Sequence, residues 1–307
     1  MRAWNYTEFG GVDRLRLGEL PDPHAGPDTV LVRTVAAGLN PVDYKVREGY
    51  LAGLVDTVFP AVPCWDVAGV VVQAGLDTPE FTVGDELLAY ARKDVVHGGT
   101  LAELVEVPVR TAVPKPPELS FEEAAALPLA GLTALQTVRR SGLHAGSRVL
   151  VHAAAGGVGS FAVQLAVLAG ADVVGTASPA NHDYLRGLGA EPVGYGAGLV
   201  PAALALSPGG FDVILDYVGG EAMATVGELL SPGGRVVSIT DARARDEFGG
   251  QYVWVRPNRD DLAELAGLAA TGELRVELAR VYDFERVAEA FAALEGGHTR
   301  GKIVVRA

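Results

Sequence analysis

The chain has 307 residues and is 49% hydrophobic, which fits two domains of ordinary size with sizeable cores. Twenty-five Lys and Arg stand against 38 Asp and Glu, a formal charge of −13 with no basic cluster; this argues against nucleic-acid binding and leaves any anionic ligand to local backbone dipoles and a few side chains. A single cysteine, Cys64, excludes an internal disulfide framework and a multi-cysteine zinc site and fits a reducing cytosol; MRAWNYTEFGG has no apolar signal core, and Gln164 and Asp172 interrupt the greasiest run, Phe161–Ala177, so no membrane span is expected.

The first part reads as strands and turns. Thr29–Ala37 and Trp65–Ala74 are valine-rich and bounded by Pro, Gly and Asp, and Gly84-Asp85-Glu86 turns into a strand Leu87–Tyr90. Leu101–Val107 is another strand, ended by Pro108, and Pro114-Lys115-Pro116-Pro117 marks a boundary because proline stops helices and ladders alike. Ser120 then opens a helix through a capping box with Glu123. From there strands and helices alternate. Strands are expected at Val149–His152, Val173–Thr176, Val193, Val213–Asp216, Val236–Ile239 and Tyr252–Val255. Helices fall between them at Val158–Ala169, His182–Leu188, Leu199–Leu206 and Glu221–Leu230. That alternation implies a parallel sheet wound on both faces, an α/β fold. Beyond Pro257 come a helix at Asp260–Ala270, the segments Leu278–Tyr282 and Asp283–Leu294, and the terminal strand Lys302–Arg306.

The segment RVLVHAAAGGVGSFAVQLA (Arg148–Ala166) carries the most chemistry. A strand enters a small-residue turn and an apolar helix leaves it. Read as G-x-G-x-x-G, positions 154, 156 and 159 give Ala-Gly-Gly, so the first glycine is missing. Small residues at Ala155, Gly156, Gly157 and Val158 let backbone N–H groups and the helix N-terminus approach a pyrophosphate; the bland alternative is a tight strand-to-helix turn with no ligand. After the second strand an NAD site usually carries an acid for the ribose hydroxyls. Here Ser178, Asn181 and His182 stand instead, with no acid before Asp183, which favours NADPH; the same residues also make ordinary helix caps. Tyr195 either flanks the adenosine phosphate or is a loop aromatic. Val218, Ser238 and Ile239, at later strand ends, would line the path from pyrophosphate to nicotinamide, although each alone is more often an ordinary strand end.

AAAGGVGSFAVQLA, DVILDYVGG, LLSPGGRVVSI, LNPVDYKVREG, FPAVPCWDVAGVV, VGDELLAY, GGTLAELVEVP, SFEEAAALPLAGLTALQT and RGKIVV occur in one chain and in one order. Together they resemble the medium-chain dehydrogenase/reductase superfamily, nearest to its zinc-free, zeta-crystallin-like quinone oxidoreductases. The resemblance implies a GroES-like β-barrel catalytic domain from residues 1–122 and 257–307, with a Rossmann NADPH-binding domain at 123–256 between them and the active site in the cleft. It implies a homodimer with Gly250–Val255 as the pairing edge. Zinc-dependent relatives carry cysteine and histidine where this chain has Asn40 and Trp65, neither a usual zinc ligand, so no metal site is expected. Without a Lewis acid, practical acceptors are those that stabilise the incoming electron pair by conjugation, namely quinones and α,β-unsaturated carbonyls.

The resemblance puts Asn40–Lys45 in the active-site loop. Asn40 would donate an amide N–H to the substrate oxygen or the nicotinamide ribose, or is merely a turn residue before Pro41. Lys45 would donate to a developing oxyanion, or form a surface pair with Asp43, as Arg47 would with Glu48. Tyr44 and Tyr50 would stack on a flat ring or donate a proton, against the commoner role of packing with the hydroxyl at the rim. Thr133 lies in a helix that faces the nicotinamide in relatives. Cys64 replaces a family glycine, and Leu101 replaces a family tyrosine. Three functions are carried forward: an NADPH-dependent quinone reductase, an enone, enal or enoyl reductase, and a cofactor-binding structural or regulatory protein without turnover.

Overall fold

Alternating runs of valine and alanine build the first part of the computed structural model, which describes residues 1–307. The chain divides into two units, Met1–Leu132 with Pro257–Ala307, and Thr133–Arg256. In the first unit, β1 (Arg2–Asn5) pairs with β2 (Arg16–Glu19). β3 (Thr29–Leu39) leads into α1 (Pro41–Arg47), and β4 (Asp56–Thr57) precedes β5 (Asp66–Ala74). β6 (Glu86–Tyr90), β7 (Val95–Val96), β8 (Leu104–Pro108), β9 (Ala112–Pro114) and α2 (Phe121–Ala126) follow. The helix α3 (Pro128–Ser141) runs across the division at Leu132–Thr133.

The second unit contains β10 (Arg148–Val151), α4 (Gly157–Leu168), β11 (Asp172–Thr176), α5 (His182–Gly187), β12 (Glu191–Val193) and α6 (Leu199–Leu206). It continues with β13 (Phe211–Asp216), α7 (Glu221–Ala224), α8 (Val226–Leu229), β14 (Leu230–Ser238), α9 (Arg243–Asp246) and β15 (Gln251–Tyr252). The chain then returns to the first unit through α10 (Arg259–Ala270), β16 (Leu278–Asp283), α11 (Val287–Glu295) and β17 (Lys302–Arg306).

In the first unit one sheet has the order β16-β17-β3-β5-β6-β9, with β8 also on β3. Strand β17 pairs antiparallel with the far end of β3, Ile303 opposite Leu39 and Val304 opposite Gly38. Val30, Val32, Val67, Val71, Leu87 and Val105 fill its core. The second unit is a six-stranded parallel sheet of order β12-β11-β10-β13-β14-β15. The chain moves outward from β10 to β12 and then crosses back to β13, so the topology switches between β10 and β13. Ligands of such sheets sit beyond the carboxyl ends at that switch.

Several sequence expectations shift. The division falls within α3 rather than between residues 122 and 123, because the early part of that helix belongs to the barrel: the Leu129 N–H donates to the buried Asp66 Oδ1 at 3.0 Å. Asn40-Pro41 starts a helix rather than a loop, with proline at the first helical position where its missing N–H costs nothing. The strand expected from Leu101 begins at Leu104; Leu101 and Ala102 instead meet β1, with the Trp4 N–H donating to Leu101 O at 2.9 Å. The helix expected over Glu221–Leu230 breaks at Thr225 into α7 and α8. The strand expected over Tyr252–Val255 is only Gln251–Tyr252; downstream, both ends of the Gln136 amide hold the Arg256 backbone, at 2.9 and 3.1 Å. No helix is long and apolar enough to cross a membrane.

Candidate active site

In the first unit the loop from β3 into α1 brings Asn40 against the first residue of β5 and the first residue of β17. Asn40 Nδ2 donates to Asp66 Oδ2 at 2.8 Å, and Lys302 Nζ donates to Asn40 Oδ1 and, at 2.7 Å, to Leu39 O. The Asn40 backbone N–H donates to Asp43 Oδ2 at 2.7 Å. All four side chains are buried. Burial pushes Asp43 up to about 7, opposed by the Asn40 N–H bond and reinforced by the nearby charge of Asp66. Burial raises Asp66 to about 6, opposed by the Lys302 charge and the Asn40 amide. Lys302 is pushed down by burial, with Asp66 and Asp43 opposing. Cys64 lies against Asp43; burial and then that carboxylate hold its thiol well above the usual range, so it is an inert buried group. Its φ of 71° lies in the left-handed region, which explains why glycine suits this position better.

The sequence reading missed Asp66 and Lys302. The available signal was a charged residue opening each of two otherwise apolar strands, WDVAGVVV and KIVV. Trp65 packs edge-on to Tyr90 with ring centroids 6.3 Å apart. Tyr44 is half-buried, and burial followed by Glu48 raises its hydroxyl; Tyr50 is exposed, not packed, and Lys45 forms no ion pair. Asp43 is not a surface partner of Lys45, since it is buried on Asn40. Arg47 is not a surface residue either: it is fully buried, bonded to Gly10 O at 3.0 Å and to Glu295 at 2.8 Å, with Glu48 at 3.3 Å.

In the second unit the turn after β10 is as tight as its small residues allow. Ala153 takes a positive φ of 53°, its N–H donates to Thr176 Oγ1 at 3.1 Å, and a side chain at Gly159 would run into Ala153 O. Gly156 is the N-cap of α4, and no side chain caps the helix, so its first amides have no side-chain partner, an arrangement that suits an anion. Gly156, Gly157 and Val158 are half-buried there, and Ala155 is buried. Ser178, Asn181 and His182 gather at the end of β11: Asn181 Nδ2 is 3.4 Å from Ser178 Oγ and a His182 ring nitrogen is 3.3 Å from Ala177 O. Tyr195 and Val218 are exposed, Ile239 is half-buried and Thr133 is buried. Ser238 does not face outward. It is fully buried, its hydroxyl donating to Asp216 Oδ2 at 2.6 Å and accepting from the backbone of Thr240 and Asp241.

Asp216, at the end of β13, also accepts from the Val218 and Gly219 N–H groups at 3.1 and 2.8 Å and so shapes the loop at the switch point. His152, which follows β10, is buried with neither ring nitrogen bonded to protein; burial lowers its pKa and the Asp216 charge opposes this. In the sequence it is one of six scattered histidines.

A GroES-like sheet carrying a buried polar cluster, and a parallel sheet with an uncapped helix at its switch point, define a two-domain dinucleotide-dependent oxidoreductase. Residues 26–117 match the alcohol dehydrogenase GroES-like domain, and residues 188–305 match the family described as zinc-binding dehydrogenase. The NADPH-dependent alkenal/one oxidoreductase of Arabidopsis thaliana chloroplasts is 37% identical over 99% of this chain and 79% of its own length. The 2-methylene-furan-3-one reductase of Solanum lycopersicum is 36% identical over the same shares. The structure of the quinone oxidoreductase from Coxiella burnetii superposes with a TM-score of 0.90 at 33% identity, over 100% of this chain and 99% of that one. The chain belongs to the medium-chain dehydrogenase/reductase superfamily and is an oxidoreductase of that type.

The zinc in one family description does not fit the residues present. No group of three or more His, Cys, Asp and Glu could hold a metal ion, and the Asn40 carbonyl is taken by a buried ammonium. A nicotinamide dinucleotide does fit: the uncapped α4 N-terminus and the turn closed at Gly159 suit a pyrophosphate.

Proposed function

We propose that the protein is a zinc-independent, NADPH-dependent reductase of quinones or other conjugated carbonyl compounds. The observation that carries this reading is the commitment of Asn40, whose amide is held by Asp66 and Lys302 and is built for hydrogen bonding rather than metal ligation. Gly156, Gly157 and Val158 hold the pyrophosphate by backbone N–H groups, with Ala155 beneath them. Ser178, Asn181 and His182, with Tyr195, surround the adenosine 2′ position, where no carboxylate would repel a 2′-phosphate. Thr133, Val218 and Ile239 line the nicotinamide end, and Ser238 supports it from beneath. Bound NADPH supplies the hydride.

Asn40 donates an N–H where negative charge develops on the acceptor's oxygen, and the conjugated acceptor spreads the rest. Lys45 offers a second donor to that oxygen. Tyr44, Tyr50 or water returns the proton. The relatives favour enones and quinones alike, so enone, enal or enoyl reduction is the second reading. A homodimer pairing through β15 and a reducing compartment, the cytosol, complete the proposal.

The test is NADPH oxidation, followed by absorbance, against a quinone panel and an enone panel, with and without a chelator. Turnover on either panel that survives the chelator supports the reading. Loss of activity to the chelator, or tight NADPH binding with no turnover on any acceptor, overturns it; the latter would leave a structural or regulatory protein.

A further inference from the structure

The two ends of an asparagine amide have almost the same shape, so only its partners decide which end points where. At Asn40 the partners leave no choice. An ammonium can only donate, so the atom facing Lys302 Nζ is the carbonyl oxygen. An ionised carboxylate can only accept, so the atom 2.8 Å from Asp66 Oδ2 is the nitrogen. Both partners are themselves fixed. Lys302 Nζ is anchored on Leu39 O at 2.7 Å, and Asp66 Oδ1 accepts the Leu129 N–H at 3.0 Å. The backbone N–H of Asn40 is spent on Asp43. Of the polar hydrogens of Asn40, one remains: the second N–H of Nδ2.

Lys302 itself is 4% exposed, in the first position of a strand whose next three residues are Ile303, Val304 and Val305. No carboxylate oxygen stands within ion-pair distance of its Nζ; its direct partners are two carbonyl oxygens. An ammonium kept out of water on those terms is expensive, and a methionine of similar length would pack there without that cost. The charge is kept for what it holds.

We propose that Lys302 is a positioning residue: by fixing the carbonyl of Asn40, while Asp66 fixes one amide hydrogen, it turns the remaining N–H toward the oxygen of the acceptor. The inference rests on the proposed reductase activity. Lys302 touches neither acceptor nor cofactor and acts only through Asn40. Without it the amide is held by Asp66 alone, through one bond, and the direction of the remaining N–H is no longer fixed.

The test is a double-mutant cycle on the full chain with N40A, K302M and the pair, using NADPH and one acceptor that the wild type reduces. Lys302→Met should lower kcat about tenfold, with the NADPH dissociation constant held within about twofold. In the N40A background the same substitution should add less than about twofold, because its route is already gone. Lys302→Arg, which keeps a donor, should recover most of the loss. Equal effects of K302M in the two backgrounds overturn the proposal, as does an unchanged kcat in folded K302M. If K302M does not fold, Asp66→Asn carries the same cycle, since it makes the other partner ambivalent, and additivity overturns the proposal there too.

A readout independent of turnover separates the two ideas. The Nδ2 protons of Asn40, observed by NMR in the wild type, should be slow to exchange with water and shifted from the values of a free side-chain amide, and in K302M should exchange faster and move toward those values. If the wild type reduces nothing, the functional reading fails, while these resonances still decide whether Lys302 orients the amide. Unchanged resonances in K302M overturn the positioning role.

Discussion

The guanidinium of Arg47, with no exposed surface, lies 2.8 Å from the carboxylate of Glu295 and stacks over the ring of Phe291, 5.2 Å from its centroid. The pair fastens the last turn of α1 to the end of α11, while Asn40 fastens the first turn. One short helix is thus pinned at both ends by buried polar groups, and Tyr44 and Lys45 ride between the pins.

Removing one pin should be costly. Glu295→Ala leaves a buried cation with a weaker partner in Glu48 at 3.3 Å and an Nη1 that already has none. Because Glu295 keeps a quarter of its surface, the loss should fall below that of a fully buried pair, at about 2 kcal/mol in urea unfolding. A loss under about 0.5 kcal/mol would show that the pair is solvent-screened and holds nothing.

Two glycines of the cofactor turn should behave differently. Gly159→Ala drives a methyl into Ala153 O and should lower both thermal stability and NADPH affinity, the latter by about tenfold or more. Gly156→Ala meets nothing nearer than Ala153 O at 3.2 Å and keeps an ordinary φ of −75°. Its melting temperature should stay near that of the wild type while NADPH fluorescence titration shows weaker binding. Equal melting losses in both variants would contradict the crowding at Gly159.

Asp43 should give stability a particular pH dependence. Its native pKa of about 7 lies above the ordinary value of 3.8, so between about pH 4 and 7 the native state holds a proton that the unfolded chain releases. Its contribution is present below that window and is lost as pH rises through 7. Lys302, pushed down by burial, contributes with the opposite slope at higher pH. Asp43→Asn keeps an acceptor for the Asn40 N–H and removes the titration. Unfolding at pH 5 and 7.5 should show a fall in the wild type, on the order of 2 kcal/mol, that is smaller in the variant, where Asp66, raised to about 6, still titrates in the lower part of that window. Parallel slopes in the two proteins would place the proton elsewhere.

Ser178→Asp should discriminate between cofactors. A carboxylate at the end of β11 repels a 2′-phosphate and accepts from a ribose hydroxyl. The ratio of kcat/KM for NADPH over NADH should fall by about tenfold or more, through the NADPH value. An unmoved ratio would take the 2′ position away from Ser178.

The glycine turn was legible because every part of it is local: strand, small residues and helix follow one another, and Ser178 to His182 form one turn of chain. Asn40 stands out in the sequence at the head of Asn40–Lys45, but its buried partners do not. Asn-Pro reads as a turn to the eye, although it is also the cap and first residue of a helix. Asp66 and Lys302 stayed hidden because their meaning lies in β3 pairing with both β5 and β17, which isolated charges in apolar strands do not announce. His152 and Ser238 needed the same knowledge: only the order β10-β13-β14 brings both to Asp216. The split of 221–230 turned on Thr225, which periodicity does not flag.

The contact between Lys302 and Asn40 spans 262 residues, and the whole of 133–256 is translated between its two halves. A nascent chain therefore carries the Asn40 amide unset through nearly all of synthesis. Long-range pairings of this kind form slowly. On a translating ribosome the dinucleotide-binding sheet would be ready to recruit its nucleotide before the barrel is closed, so chains stalled just short of β17 should capture NADPH yet reduce nothing.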